Sequence, residues 1–477
     1  MNSAVSLRTK LSILSVGLLS FVGILVETSM TVAFPALITA FGVGLDTVQW
    51  LTTGYLLLVT IVMSTTAYVL KQVNPKTLFL FAATVCLVGG LLCLVASSFP
   101  ILLIGRLLQA VATGLSTPLM FQIIFTRVPG ERVGVYTGAA AVIISLAPAL
   151  GPTYGGIMTS LWSWRAIFVG IIPLLVLVAL SGSFTIDGTA PKPRDAGFDY
   201  IGAALIAALF TVVLFAFTAA GSNGWISLQF GLWVLACIAI AVVLFLYARK
   251  SKRRLFDYSI LRLKKLRLRL FNYFSLQFIN IGLSFVLPLF AQRVLGTSAL
   301  VAGLMVLPGA LVGAFTSPIA GHLYDSMGAS KPLIFSASLV SVGSLLFLAF
   351  SSHLSIALIA FFYAVLRLGF NSGFGVAMSD ASVQVNLSQK SDQNSLFNMM
   401  QQYAGSLGTS VMSAVISSFE LTRTSAAATA LGARIDFVVM LVLALSILAL
   451  LCRSVYKTRH SRETNTGDVS AAELAES

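Results

Sequence analysis

Long apolar runs, repeated along almost the whole chain, are the feature that most restricts how it folds. A helix of about 20 apolar residues crosses a hydrocarbon core about 30 Å thick. Inside that core the backbone must bond within helices or a closed barrel, and barrel strands alternate apolar with polar residues. These runs do not alternate, so we predict an all-α polytopic membrane protein. We place its fourteen spans at about 11–34, 47–70, 77–97, 100–126, 133–157, 166–184, 200–220, 226–248, 271–292, 299–320, 332–351, 355–381, 394–418 and 434–455.

Charge content and placement indicate the same class. Only 10% of the 477 residues are charged, against about 25% in a soluble domain. The net charge of +14 comes mainly from Lys and Arg in alternate loops, which places both termini in the cytoplasm by the positive-inside rule. We therefore expect the lipid bilayer, and no nucleic acid, as a partner. The first run lacks a signal-peptide cleavage site, so we expect it to be retained as span 1.

Motifs for enzymatic chemistry do not occur in the sequence. The three histidines lie outside or at the edges of the predicted spans, and no HExxH, GxSxG or Walker pattern is found. The four cysteines form no CxxC pair. The sequence thus predicts a protein that is not an enzyme, with no catalytic residues, no metal site and no cofactor.

Paired features indicate an internal repeat. The stretch GHLYDSMGASK after span 10 has a weaker counterpart, AYVLKQVNPK, at the end of span 2, and Arg106 in span 4 corresponds to Arg367 in span 12. Two six-helix halves with two inserted helices give these offsets, and repeated halves around a central site are typical of secondary transporters. The predicted units are an N-terminal half at 1–184, a linker with two extra helices at 185–248, a basic cytoplasmic loop at 249–270, a C-terminal half at 271–456 and a cytoplasmic tail at 457–477.

The basic segment 249–269 allows two interpretations. Part of it, LFDYSILRLKKL, has the composition of an amphipathic helix that lies against anionic lipid. Alternatively, the segment is an orientation anchor between the two halves.

Glu27, in the stretch ILVETSMTVAFP, is the one carboxylate that the sequence places clearly inside a span. Removing a carboxylate from water favours its protonated form, so this group suits a carrier that binds and releases a proton. The alternative is a carboxyl that is hydrogen-bonded between helices and has no role in transport. The acids predicted at or near span ends are Asp46, Asp199, Asp380, Glu420 and Asp436.

Arg106 is predicted at a depth similar to that of Glu27, about 9 Å against about 10 Å from the nearer span end. If spans 1 and 4 adjoin, the guanidinium modulates the protonation of Glu27. The alternative is an arginine that bonds backbone carbonyls at a packed interface.

Span 5 contains APALGPTYGG, which combines two prolines with closely spaced glycines. Gly151 and Gly155 lie on one helix face, so a neighbouring backbone can approach closely. Pro148 and Pro152 remove hydrogen bonds from the helix, and Gly156 is the further glycine of the motif. Together they predict a helix-packing motif.

The stretch GHLYDSMGASK predicts a tight loop after span 10, formed at Gly321 and Gly328. Asp325 precedes span 11, where its carboxylate can stabilise a helix N-terminus or pair with a loop cation. We interpret the three residues as a cytoplasmic gate, and a plain short loop with a capping Asp as the alternative.

Taken together, these residues resemble the fourteen-span drug:proton antiporter family of the major facilitator superfamily. RLLQAVATG at 106–114 is similar to the family's span-4 motif, APALGPTYGG at 147–156 to its antiporter motif, and SWRAIFVGIIP at 163–173 to its entry to span 6. FDYIG at 198–202 and LPLFAQRVLGTSALVAGLMVLPG at 287–309 resemble the start of span 7 and the span 9–10 region. The resemblance implies a major facilitator fold and efflux of drugs, antibiotics or biocides driven by the proton gradient.

Some positions depart from the family pattern. The acid of span 1 is Glu27 where an aspartate is common, and Lys71 stands where an aspartate is expected after span 2. Apart from Asp380 at the end of span 12, no acid lies inside predicted spans 9 to 13, so a neutral, monocationic or zwitterionic substrate fits better than a dication.

The resemblance therefore leads us to expect alternating access in the cell membrane, with a monomer that uses Glu27 and Arg106 for proton coupling. An amphipathic small molecule and protons are the expected partners. Alternatives are a dedicated exporter of a lipid, an amino acid or a metabolite, a non-transporting receptor, and an intramembrane enzyme. The residues predicted to line the substrate cavity are Trp50, Tyr55, Gln109, Phe121 and Tyr154.

Overall fold

Helices form the regular structure of the computed structural model, which describes residues 5–129, 132–188, 199–251, 258–386 and 389–475. A 3-10 turn at Tyr258–Arg262 precedes the second group of helices. In chain order the α-helices are α1 Leu7–Phe41, α2 Leu45–Val48, α3 Trp50–Gln72, α4 Pro75–Val95, α5 Phe99–Arg127, α6 Val133–Leu161, α7 Ala166–Thr185, α8 Tyr200–Asn223, α9 Leu228–Lys250, α10 Lys264–Arg293, α11 Ala299–Met305, α12 Leu307–Met327, α13 Ser330–Ala349, α14 Ile356–Val383, α15 Lys390–Glu420 and α16 Ser425–Ala475.

Membrane-spanning length and apolarity are found in 13 of these helical segments, with α2 continuing into α3 and α11 into α12. The predicted span at 394–418 corresponds to α15, which begins with the polar sequence KSDQNSLFNMMQQ and is less apolar than the others. It nevertheless packs against α3, α8, α10 and α16. The prediction of an all-α polytopic membrane fold is confirmed.

Two helical bundles make up most of the molecule. In the first, α1 packs against α5, α6 and α7, while α4 packs against α5 and α7. In the second, α10 packs against α14, α15 and α16, and α13 packs against α14 and α16. Several of these helices are apolar all round, as expected when one side meets lipid and the other meets protein.

The side of the bundle where α1 begins and α16 leaves the membrane is called here the terminal face, and the other side the distal face. The two bundles meet towards the distal face. Gln292 near the end of α10 donates from Nε2 to the carbonyl of Val32, at 2.9 Å. The Leu300 amide of α11 donates to Ser160 Oγ of α6, at 2.8 Å. The structure is therefore closed on the distal face.

The inserted helices α8 and α9 form a hairpin beside the bundles. Asp199 accepts from the Gly202 amide at 2.9 Å and so caps α8. The Tyr247 hydroxyl of α9 donates to the same carboxylate oxygen. On its other side α8 contacts α3 of the first bundle and α15 of the second.

Several helices extend beyond their predicted spans. The prediction of a tight loop at GHLYDSMGASK is wrong in its first part, because α12 continues through Gly321 and Asp325 to Met327. Gly328, at φ 74°, ends this helix. No side chain caps α13, and Asp325 makes no ion pair with any described residue.

The basic segment also differs from the predicted loop. Its end, from Lys264, already belongs to α10, and residues 252–257 lie outside the described part. Towards the C-terminus, α16 continues to Ala475 where the sequence predicts a polar tail.

Candidate transport site

Glu27 lies in the interior of α1 and is only 4% exposed. No residue that the structure describes donates a hydrogen bond to its carboxyl group. The surrounding positions on α1 are occupied by buried apolar and small hydroxyl side chains. A charge at this place is therefore poorly solvated.

Arg106, on α5, is fully buried beside an aromatic ring. Its guanidinium carbon lies 4.3 Å from the centre of the Tyr55 ring, and Nη1 donates to Gln109 Oε1 at 2.7 Å. The Tyr55 hydroxyl bonds to the Gly23 carbonyl of α1 at 3.0 Å and to Thr113 Oγ1 at 2.6 Å. Tyr55 thus connects the arginine to α1, one helical turn before Glu27.

Arg106 and Glu27 are both buried side chains of the first bundle. The two groups form no ion pair within 4.0 Å, and Nε and Nη2 of Arg106 have no acceptor among the described residues. Glu27 is about 21 Å from the α1 end at Phe41, and Arg106 is about 10 Å from the α5 start at Phe99. Because α1 continues past its predicted span end at residue 34, these lengths do not measure depth in the membrane, and the similar depth of the two charges stays a prediction.

The glycines of the span-5 motif lie at close helix contacts. A Cβ atom on Gly151 would come within 1.8 Å of Thr28 Oγ1, and one on Gly155 within 2.4 Å of the Ser29 carbonyl oxygen. Ser29 Oγ also donates to the Gly151 carbonyl at 2.8 Å. The glycines thus allow α6 to lie directly on α1, beside the Glu27 turn.

The motif also reaches the second bundle. A Cβ on Gly156 would come within 2.5 Å of the Ala299 carbonyl oxygen, and one on Gly303 within 2.2 Å of the Pro152 carbonyl oxygen. Helix α6 runs unbroken through Pro148 and Pro152. The distal closure therefore depends on backbone-to-backbone contact between α6 and α11.

The residues predicted to line the cavity do not share one surface. Tyr55 and Gln109 both lie against Arg106. Trp50 packs on Phe215 of α8 with ring centres 4.8 Å apart, in a largely apolar crevice of about 590 Å³ between α3, α5 and α8. The Tyr154 hydroxyl donates to a carbonyl of α7, and Phe121 stacks on its own helix neighbour Phe125.

A second interior acid went unrecognised in the sequence. Asp436 is predicted at a span end, but it is 0% exposed within α16, and neither carboxylate oxygen has a hydrogen-bond partner in the part of the chain that the structure describes. Helix α16 begins at Ser425, so Asp436 lies about 16 Å along it. The helix-forming stretch SAAATALGA before Arg434 is the signal that would have placed it inside the span.

Other acids near span ends are paired. Asp380 Oδ2 lies 2.6 Å from Arg269 Nε, and Glu420 pairs with Arg293. Both pairs are largely shielded from water and connect α10 with the neighbouring helices α14 and α15. These carboxylates therefore hold the second bundle together.

Arg367 is the second-bundle counterpart of Arg106 and lies on α14. Its Nη1 donates to Asn280 Oδ1 of α10, and the guanidinium carbon lies 5.1 Å from the centre of the Phe370 ring. Each bundle therefore holds one buried arginine beside an aromatic ring and an amide side chain.

Comparison with known proteins was made at the level of family and of fold. The family model described as Major Facilitator Superfamily matches residues 16–409. The Lincomycin resistance protein LmrB of Listeria innocua is 30% identical over 404 residues, which is 83% of this chain and 84% of the relative. The uncharacterized MFS-type transporter YhcA of Bacillus subtilis is 31% identical over 83% of this chain and 74% of the relative. A Multidrug resistance protein B homolog of Mycobacterium tuberculosis is 28% identical over 84% of this chain and 77% of the relative.

Solved structures share the fold at low sequence identity. A bacterial homolog of the human lysosomal transporter Spinster, in an inward-facing and unoccupied conformation, superposes with a TM-score of 0.71. It is 16% identical, and the match covers 95% of this chain and 99% of that one. The peptide transporter POT in complex with sulfate gives a TM-score of 0.68 at 15% identity, over 93% and 94% of the chains.

Proposed function

The chain belongs to the major facilitator superfamily, and from that premise we propose that it exports amphipathic small molecules in exchange for protons. Relatives named for lincomycin and multidrug resistance, at about 30% identity, support efflux as the direction and drugs as the substrate class. The proposed location is the cell membrane, with the terminal face in the cytoplasm, as the distribution of Lys and Arg favours.

The observation that carries the proposal is Glu27. It is a carboxyl group inside a spanning helix, it is nearly excluded from water, and no described residue donates a hydrogen bond to it. The buried Arg106 reaches the preceding turn of the same helix through Tyr55. Such a carboxyl group binds a proton readily, and it releases the proton when water or a nearby positive charge stabilises its ionised form. Movement of Arg106 and Tyr55 relative to α1 would change that balance.

The two bundles supply the conformational change. In the proposed cycle the distal-closed form takes up substrate from the cytoplasm, and the opposite form exposes substrate and Glu27 to the outside. Protonation of Glu27 from the outside then accompanies substrate release, and loss of the proton to the cytoplasm resets the carrier.

The test is efflux of tetramethylrhodamine methyl ester, a fluorescent lipophilic monocation, from proteoliposomes. Equal potassium concentrations and valinomycin hold the membrane potential at zero, so that only an imposed pH gradient drives transport. We expect gradient-driven efflux by the wild type and its loss in Glu27→Gln, while exchange of labelled for unlabelled substrate continues. Glu27→Asp is the matched control, because it keeps an ionisable group and should keep coupling.

Two results would count against the proposal. Undiminished gradient-driven efflux by Glu27→Gln would remove Glu27 from proton coupling. A competition profile restricted to one lipid, amino acid or metabolite would favour a dedicated exporter of that compound over drug efflux.

A further inference from the structure

Arg367 is a buried cation that lacks an anionic partner. The side chain is 8% exposed. A guanidinium has five N–H groups, and among the described residues only Asn280 Oδ1 accepts from it, through Nη1. Its Nε has no acceptor. A guanidinium removed from water is costly unless an anion compensates for the lost hydration. An amide oxygen and two aromatic rings, those of Phe370 and Tyr363, supply only part of that compensation.

The helices around α14 provide no carboxylate for this arginine. Helices α10, α11 and α13 contain no acidic residue. Asp380, on α14 itself, is paired with Arg269, and Glu420 of α15 is paired with Arg293. The remaining acids, Asp325 of α12 and Asp392 of α15, lie at the terminal-face ends of their helices.

The contrast with the first bundle is informative. There the buried arginine, Arg106, has Glu27 within electrostatic reach. In the second bundle the matching arginine has no acid in that role. Among the described residues, neither Asp436 of α16 nor any other acid forms an ion pair with Arg367.

Neighbouring amides hold Arg367 in place and leave donors free. Asn371 Nδ2 donates to the Arg367 carbonyl at 2.9 Å and its Oδ1 accepts from Ser317 Oγ at 3.0 Å. Asn280, which holds Nη1, donates in turn to Gln277 Oε1 at 3.4 Å. Asn280 holds the guanidinium itself, whereas Asn371 bonds the backbone carbonyl. The remaining N–H groups of the guanidinium form a fork that matches a carboxylate.

We propose that Arg367, positioned by Asn280, binds a carboxylate group of the transported molecule. The inference rests on the proposed efflux function and narrows its substrate class to amphipathic molecules that carry a carboxylate group. Arg367 is the binding residue and Asn280 a positioning residue.

A matched pair of fluorescent probes tests this inference. Tetramethylrhodamine with its free carboxylate is a zwitterion at neutral pH, and its methyl ester is the same dye as a monocation. Binding of each to the purified protein in nanodiscs is measured by fluorescence polarisation. We expect the wild type to bind the free acid about tenfold more tightly than the ester, as one charge-assisted hydrogen-bonded contact implies.

Variants then separate binding from structure. Arg367→Gln should remove the preference by weakening binding of the free acid alone, and Arg367→Lys should retain part of it because the charge remains without the fork. Arg434→Gln, which removes one charge from an exposed position of α16, is the control and should keep the full preference.

Equal affinity of the wild type for the two dyes, or no binding of the free acid, would overturn the inference. An equal loss of affinity for both dyes in Arg367→Gln would also overturn it, because that result indicates a structural role for Arg367. If the pH gradient drives efflux of the ester but the protein binds the free acid no more tightly than the ester, this inference is refuted and the proposed function stands. If the protein binds the free acid more tightly but the pH gradient drives transport of neither dye, the proposed function is refuted and this inference stands.

Discussion

Replacing Gly303 by alanine should shift the carrier away from its distal-closed conformation. The added Cβ would lie 2.2 Å from the Pro152 carbonyl oxygen and 2.9 Å from the Pro152 carbonyl carbon. Both are backbone atoms, so no side-chain rotation relieves the clash. Helices α6 and α11 must separate by about 1 Å to restore van der Waals contact.

The magnitude follows from the cost of overpacking. Forcing one extra methyl group into a close contact costs about 1–3 kcal/mol. The cost falls only on the conformation in which α6 and α11 touch, because the two helices part when the distal face opens. The ratio of closed to open molecules should therefore fall by about 5- to 150-fold.

Pulsed electron-electron resonance measures this shift directly. Nitroxide labels at Trp162→Cys and His353→Cys, both exposed at the distal face, report the distance between the bundles. We expect a longer distance to become populated in Gly303→Ala. Gly231→Ala, where a Cβ meets nothing within 4 Å, is the control. An unchanged distance distribution in a folded Gly303→Ala protein would refute the reasoning.

Three further substitutions test the interior polar groups. Asp436→Leu should raise the free energy of unfolding by about 1–2 kcal/mol, because it removes a buried acid that has no partner among the described residues. A lower melting temperature than that of the wild type would show that the carboxyl group makes a stabilising hydrogen bond. Arg269→Gln should destabilise the second bundle by about 3 kcal/mol, because it leaves Asp380 unpaired. Adding Asp380→Asn to this variant should recover part of the lost stability. Equal melting temperatures for the single and double variants would contradict this prediction. Tyr55→Phe should destabilise the fold by about 1 kcal/mol or more, because it removes the hydroxyl's bonds to the Gly23 carbonyl and to Thr113. Thermal unfolding measures this loss, and an unchanged melting temperature would show that the two bonds contribute nothing.

The sequence predicted the helical class and the positions of the spans well, because apolar length is a direct requirement of the bilayer. It predicted helix ends poorly. Helix α12 continues past its apolar run to Met327, and α10 begins at Lys264 among basic residues. At these ends packing and capping decide the helix, and neither depends on a run of apolar residues.

The candidate site was predictable in part, for a related physical reason. Glu27 and Arg106 were identifiable because a charge within an apolar run has few explanations. The aromatic residues were not, because helices with no polar face do not reveal which side meets the protein. Trp50 and Tyr154 thus fall on separate surfaces, while Asp436 was missed because its helix begins in a weakly apolar stretch.

The contacts between α6 and α11 are made by glycines, backbone carbonyls and hydroxyls such as that of Thr153, with no ion pair among the described residues. Opening this surface therefore exposes no charge and releases no counter-ion. Ionic strength should therefore have little effect through the contact between α6 and α11, since this contact holds no Coulomb interaction to screen. Any dependence of its opening on proton concentration would originate at titrating groups elsewhere in the molecule and reach this contact as mechanical displacement.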